Sequence, residues 1–178
     1  VVGIVLRGNT ITNNENPDQP HRGTLQGIGC FDGMFVDWTI ENNVIIVDHY
    51  HGITLAGARR CRIVNNTVLD PNDRRPGPAA LRVGNHKRGM TSSNCTIQNN
   101  LVSSLHAAGE AMTVDHNLIV EEPARVFLDA AKCDLRLCEG SPAIDGGASD
   151  IAPKVDIAGV SRPQGNAVDI GAYEYSIK

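Results

Sequence analysis

Apolar and polar residues alternate with a period of two in five short stretches of the chain, and those stretches repeat one phrase. The clearest copies are CRIVNNTV at residues 61–68 and CTIQNNLV at residues 95–102, which lie 34 positions apart. Aligned on the second asparagine, the copies centre on Asn9, Asn43, Asn66, Asn100 and Asn117, separated by 34, 23, 34 and 17 residues. Five positions before each asparagine stand Ile4, Trp38, Cys61, Cys95 and Met112. Leu6, Ile40, Ile63, Ile97 and Val114 stand three before, and Ile11, Ile45, Val68, Val102 and Ile119 two after. All are apolar or cysteine. The positions between them, Val5, Thr39, Arg62, Thr96 and Thr113, then Arg7, Glu41, Val64, Gln98 and Asp115, are mostly polar.

Alternation that returns in register predicts a short strand with one buried face, stacked on copies of itself. One copy is too short to bury its own apolar face, so neighbouring copies must supply the core, as in a solenoid. The asparagine stands where the chain corners. It tolerates the left-handed backbone region, and a stack of such side chains can hydrogen-bond from coil to coil. A second strand per coil is read at GIGC (27–30), GITL (52–55) and ALRV (80–83). Stacking these places Gly29, Thr54 and Arg82 in an outward line that His106 extends. A helical reading fails because the phrase lacks 3.6-residue spacing and is poor in helix formers.

Composition narrows the class. With 178 residues, 41% of them hydrophobic but only 4% aromatic, 18 glycines and a net charge of −4, the chain predicts a single all-β domain with an aliphatic core. The absence of a basic stripe argues against nucleic acid as a partner, and no apolar run is long enough for a membrane span. The chain opens inside a repeat, which reads as a mature or truncated segment. Earlier coils or an oligomeric partner are expected to cover that end of the solenoid. Five cysteines, Cys30, Cys61, Cys95, Cys133 and Cys138, form no CxxC pair, so zinc is not expected. Cys133 and Cys138 fit a disulfide or two thiols equally well. Cys61 and Cys95 share a core register and are expected to be buried, stacked and inert.

The coil sequence GITLAGARRCRIVNNTVLDP resembles those of right-handed parallel β-helix proteins, the superfamily of pectate lyases, alginate lyases and mannuronan epimerases. The tail, DLRLCEGSPAIDGG followed by VDIAGVSRPQGNAVDIGAYEY, is similar to a carboxyl-terminal module of secreted bacterial β-helix proteins. The resemblance implies a right-handed parallel β-helix of about five coils over residues 1–125, with residues 126–178 as a capping segment on the same solenoid. It also implies a secreted or cell-surface location, and an acidic polysaccharide as partner. Read physically, the Pro, Gly and carboxylate-rich tail suits a tethered cap over the open apolar end, with Arg162 paired to Asp145, Asp156 or Asp169.

Two clusters carry candidate chemistry. Asp48, His49, Tyr50 and His51 form the densest ionisable set, suited to acid/base work or to a plain polar turn. Arg82 and the excursion Asn85, His86, Lys87 and Arg88 form the second, which also reads as a solvated basic loop. In the resembled lyases a basic residue removes the proton beside a uronate carboxylate, while an arginine or calcium neutralises that carboxylate. The resemblance thus makes His51 or Lys87 the base and Arg82 the clamp, with Asp48, His49, His86, Arg88 and His106 lining the substrate. The aspartate-rich calcium cluster of pectate lyases and the D-P-H-D motif of the epimerases are both missing, so calcium has no clear site. Asp32, Asp37 and Glu41 offer paired carboxylates for hydrolysis, whereas Trp38 belongs to the core by register. The class hosts many activities, and a non-catalytic fibre, adhesin or tail-spike segment is the other functional expectation.

Overall fold

The asparagine phrase folds as two strands, one on each side of the asparagine. The computed structural model describes residues 1–13, 25–72 and 76–176. Strands preceding the asparagine, Val5–Arg7, Thr39–Glu41, Arg62–Val64, Thr96–Gln98 and Thr113–Asp115, form sheet 1. Strands following it, Thr10–Thr12, Val44–Ile46, Thr67–Leu69, Leu101–Val102 and Leu118–Ile119, form sheet 2. Ile28–Cys30, Ile53–Ala56, Ala80–Gly84 and Ser104–Ala107 form sheet 3. All three sheets are parallel, and each repeat position pairs with its equivalent in the next coil, as in Leu6↔Ile40↔Ile63↔Ile97↔Val114. The protein is a β-solenoid with three sheets per coil, one more than the alternation alone had indicated.

The core follows the predicted registers. Ile40, Ile63 and Ile97 from sheet 1, Ile45, Val68 and Val102 from sheet 2, and Ile53, Leu55, Leu81 and Val83 from sheet 3 close on one interior with Trp38. Cys61 and Cys95 are buried there, and the Cys61 amide donates to the Cys95 sulfur at 3.5 Å. Burial pushes the Cys30 thiol up, and the hydrogen bond shared with Cys61 pushes that of Cys95 up. All five cysteines are free thiols, Cys133 and Cys138 included.

The corner divides its labour between the two asparagines, where the sequence had assigned both tasks to the second. The left-handed residue is the first of the pair: Asn42 (φ 52°), Asn65 (φ 51°) and Asn99 (φ 57°), with His116 and Gly8 in the flanking coils. The second asparagine builds the ladder. Asn9, Asn43, Asn66 and Asn100 each donate Nδ2 to the Oδ1 of the next, at 2.8, 2.9, 2.9 and 2.8 Å, ending on Asn117. Each Oδ1 also accepts the backbone amide of the preceding rung, as Asn66 accepts from Asn43 at 3.1 Å. A second left-handed corner lies five residues earlier in every coil, at Gly3, Asp37, Arg60, Asn94 and Ala111. Arg60 and Ala111 hold that conformation at a cost of about 1 kcal/mol each, so the stack overrides local preference.

The tail lies along the flank of the solenoid, whereas the sequence reading had put it over the open end. Val44, Ile46, Leu69 and Leu101 point outward from sheet 2, where Val126, Phe127, Leu135, Leu137, Ala143, Ile170 and Ala172 bury them in a second core. Phe127–Asp129 and Asp134–Leu137 form an antiparallel hairpin within this layer. The left-handed asparagines fasten it: Asn42 donates to the Val155 carbonyl at 2.7 Å, Asn65 to that of Asp169 at 3.0 Å and Asn99 to that of Ala148 at 2.8 Å. Gly171 (φ 102°) crosses so close to Leu101 that a Cβ would meet its Cδ1 at 2.6 Å. The tail carboxylates pin backbone. Asp145 accepts from Ala167, Asp156 from Ala158, Val160 and Glu174, and Asp169 from Asp145 and Tyr175. Arg162 therefore pairs with none of them; its ion pair is with Glu174, at 2.7 Å, and both side chains are fully buried. Burial lowers the Arg162 guanidinium and raises the Glu174 carboxyl, the expected effect of desolvating an ion pair.

Two substitutions test these supports. Asn66→Ala removes an interior rung and orphans several buried groups, so it lowers the unfolding free energy by ~2 kcal/mol or more in urea titrations, whereas Asn117→Ala at the last rung costs less. Arg162→Ala strands a buried carboxylate and costs about 3–5 kcal/mol, while Lys132→Ala, which breaks a solvent-screened pair with Asp129, leaves the urea midpoint nearly unchanged.

Candidate functional site

The tail decides which sheet face remains available for chemistry. Sheet 2 is covered on its outer side by the second core. On sheet 1, the outward residues Glu41, Val64 and Gln98 are buried, next to the corner where Asn42, Asn65 and Asn99 bind the tail. Sheet 3 carries the predicted outward line, since Gly29 pairs with Thr54, Thr54 with Arg82 and Arg82 with His106. Among the described residues this face is overlaid by side chains from its own margins.

Rings cross that face from coil to coil. Gly29 has no side chain, and the Phe31 ring folds into the space, where a Cβ on Gly29 would meet it at 2.7 Å. Phe31 packs on His51 with centroids 4.6 Å apart, and His51 packs on Tyr50 at 4.1 Å. The Arg82 guanidinium then lies 5.8 Å from the Tyr50 centroid, within cation–π range. His106 follows in the next coil, its Nε2 at 3.2 Å from the Ser104 hydroxyl. Tyr50, Pro76, Pro78, Arg82, Ser104 and His106 line a cavity of about 370 Å³ at one end of this row.

His51 is held in a defined orientation. Its Nδ1 is 2.8 Å from the Thr54 hydroxyl, and its amide donates to His49 Nδ1 at 3.0 Å. The His49 and His51 rings stack with centroids 5.0 Å apart. Burial first, then the neighbouring His49 and Arg82 charges, hold the His51 imidazole below its ordinary pKa, so it is neutral at pH 7. Its Nε2 makes no hydrogen bond among the described residues and is free to accept a proton. Asp48, just upstream, is buried with an Oδ1 that has no hydrogen-bond partner among the described residues.

The second predicted cluster splits. Arg82 joins the row of rings, but His86, Lys87 and Arg88 lie beyond the other margin of sheet 3, where the chain leaves the strand Ala80–Gly84 in a tight turn. His86 anchors that turn: its amide bonds the Met90 carbonyl at 2.9 Å, and its Nδ1 accepts the Arg88 amide at 3.1 Å. Lys87 binds Asp32 at 2.9 Å, and this hydrogen bond lowers the Asp32 carboxyl further. Buried His86 Nε2 lies 3.6 Å from the same carboxylate. The structure thus brings His51, His49 and Arg82 together, extends the row to His106, and leaves Lys87 with Asp32.

The carboxylates weighed for hydrolysis are occupied separately. Asp37 holds Arg60 through two bonds of 2.7 Å, Glu41 holds Arg7, and Asp32 holds Lys87. Trp38 is buried and packs edge-on against Phe35, as its register had indicated. No group of three or more metal-binding side chains occurs among the described residues. Sequence reasoning missed Phe31; the signal was Gly29 in the outward column, a vacancy next to an aromatic residue two positions on. The chain matches no protein-family model and no curated protein.

The histidine environment has a pH consequence. Because the folded chain binds the His51 proton less tightly than the unfolded chain, this group makes stability fall as pH drops through the ordinary histidine range, until His51 itself protonates. An NMR titration of the imidazole finds an apparent pKa below that of a free histidine, and Arg82→Gln moves it upward.

Proposed function

We propose that the protein recognises an extracellular, uronate-containing polysaccharide on the outer face of sheet 3. The observation that carries this reading is the row of Phe31, the adjacent Tyr50 and His51, Arg82 and His106, supplied in turn by four successive coils. Strand spacing sets its steps at about 4.8 Å, a distance suited to consecutive sugar rings. Aromatic faces suit the apolar faces of sugars, and a guanidinium matches a carboxylate bidentately. The resemblance to the polysaccharide lyases adds to this on the same residues.

His51 and Arg82 together favour β-elimination as the reaction. Arg82 neutralises the uronate carboxylate and stabilises charge developing on it. Neutral His51 takes the adjacent ring proton on Nε2, the carbon–carbon double bond forms, and the glycosidic carbon–oxygen bond breaks, with the leaving oxygen protonated from water. His51 is the base in this reading because Lys87 is held by Asp32. A second reading, a non-catalytic adhesive or structural protein, is favoured by the last coil, where Val114 and Ile119 are exposed among the described residues.

A panel of uronate polysaccharides separates the two. Isothermal titration finds binding that Arg82→Ala weakens about 10- to 100-fold, the range for a charge-assisted bond, and Tyr50→Ala weakens it as well. Ultraviolet absorbance of the unsaturated product then appears with the native chain and vanishes in His51→Gln, which still binds. Elimination rates rise with pH through the depressed His51 value and level off near neutrality. Binding without product supports the non-catalytic reading, and absence of binding across the panel rejects the polysaccharide site.

A further inference from the structure

The cavity at the end of the ring row has two unlike ends. Its floor is the outward face of two neighbouring strands, where Arg82 pairs with His106 and Ala80 with Ser104. Arg82 and His106 make the anion-binding end. Two residues earlier along both strands, about 6.6 Å away at the rise of a strand, the floor changes to a methyl group and a hydroxyl. The chain enters the strand Ala80–Gly84 through Pro76 and Pro78, which line the cavity on that side.

Hydrogen bonds hold this second end in place. The Tyr50 amide donates to the Pro76 carbonyl at 3.2 Å, and the Ala79 amide to Asp70 Oδ2 at 2.7 Å. Proline carries no amide hydrogen, so neither Pro76 nor Pro78 offers a ligand a backbone donor. A bare sugar hydroxyl turned toward them would lose its water without gaining a partner. A methyl group placed there removes apolar surface from water on both sides of the contact. One donor does stand at this end, the Ser104 hydroxyl, 3.2 Å from His106 Nε2, and a carbonyl oxygen can accept from it. Methyl and carbonyl together are an acetyl group. In a pyranose uronate the carboxylate leaves C5 and the 2- and 3-oxygens lie across the ring, so an acyl group on either reaches the proline end while Arg82 holds the carboxylate. The volume of about 370 Å³ falls at the small end of the ~300–1,000 Å³ range of ligand sites and suits one substituted ring.

We infer that this cavity is an acetyl-recognising subsite, so that the polymer taken on sheet 3 is an acetylated uronate polysaccharide. The inference rests on the polysaccharide reading above and adds a substituent to it. An ester on the uronate itself and an amide on a neighbouring hexosamine present the same methyl and carbonyl.

Isothermal titration with matched polymer pairs tests it and separates the two sources. The first pair is O-acetylated polymannuronate before and after mild alkali, which removes the ester; the second is a uronate–N-acetylhexosamine copolymer and the same copolymer carrying formyl in place of acetyl. The native chain prefers the acetylated member about 10- to 50-fold in the first pair if the ester is read, the worth of a buried methyl and one hydrogen bond, or about fourfold in the second if the amide is read, the worth of the methyl alone. Pro78→Ser, at an exposed position, and Ser104→Ala each shrink the ester preference at least threefold, leave affinity for the alkali-treated polymer unchanged and keep the native circular dichroism spectrum. Arg82→Ala weakens both members of a pair alike. Equal binding of both members in both pairs, still lost in Arg82→Ala, overturns the acetyl subsite and leaves the uronate site standing. Absence of binding to all four polymers overturns both.

Discussion

Everything in this molecule depends on one repeated requirement: a coil must corner twice within five residues and still satisfy the amide groups it turns inward. Left-handed residues at both ends of each sheet 1 strand make the corners possible, and the second asparagine satisfies the groups that the corner would strand. Because each interior rung, Asn43, Asn66 and Asn100, receives from one neighbour and donates to the other, the bond is additive along the stack and fixes its register. Register in turn carries the core, since a slip of one residue would turn Ile40, Ile63 and Ile97 outward together.

The corners do more than hold the stack. The left-handed asparagines project their amides outward onto the tail, so the residue that bends the chain also fastens the layer that covers it. That layer buries one sheet and reaches the edge of another. The third face is thereby left to side chains, and its composition differs accordingly: Val44, Ile46, Leu69 and Leu101 face outward from sheet 2, while the central outward line of sheet 3 is Gly29, Thr54, Arg82 and His106. Localisation of the candidate chemistry is thus a consequence of where the tail packs.

The solenoid itself was legible because a period-two alternation that returns in register has few other physical solutions. The outward line through Gly29, Thr54, Arg82 and His106 was legible for the same reason. Three things were not. Val44, Ile46 and Leu69 stand beside core residues in continuous apolar runs, the mark of a strand buried on both faces, and an alternation reading passes over them. Arg162 was assigned the nearest carboxylates by type, but Asp145, Asp156 and Asp169 are consumed by backbone amides, and only Glu174 remains to it. Lys87 and His51 both neighbour sheet 3 in sequence, yet they leave it at opposite margins, a distinction that depends on strand direction and that residue spacing alone does not contain.

Because the amides of Asn42, Asn65 and Asn99 all bond one continuous tail, coils that would otherwise behave as separable repeats are stapled into a single block. A simple solenoid loses its coils one at a time from either end; here the second, third and fourth coils can open only together with the tail. The first and fifth coils lie outside the staple. Their backbone amides exchange with solvent before those of the three stapled coils.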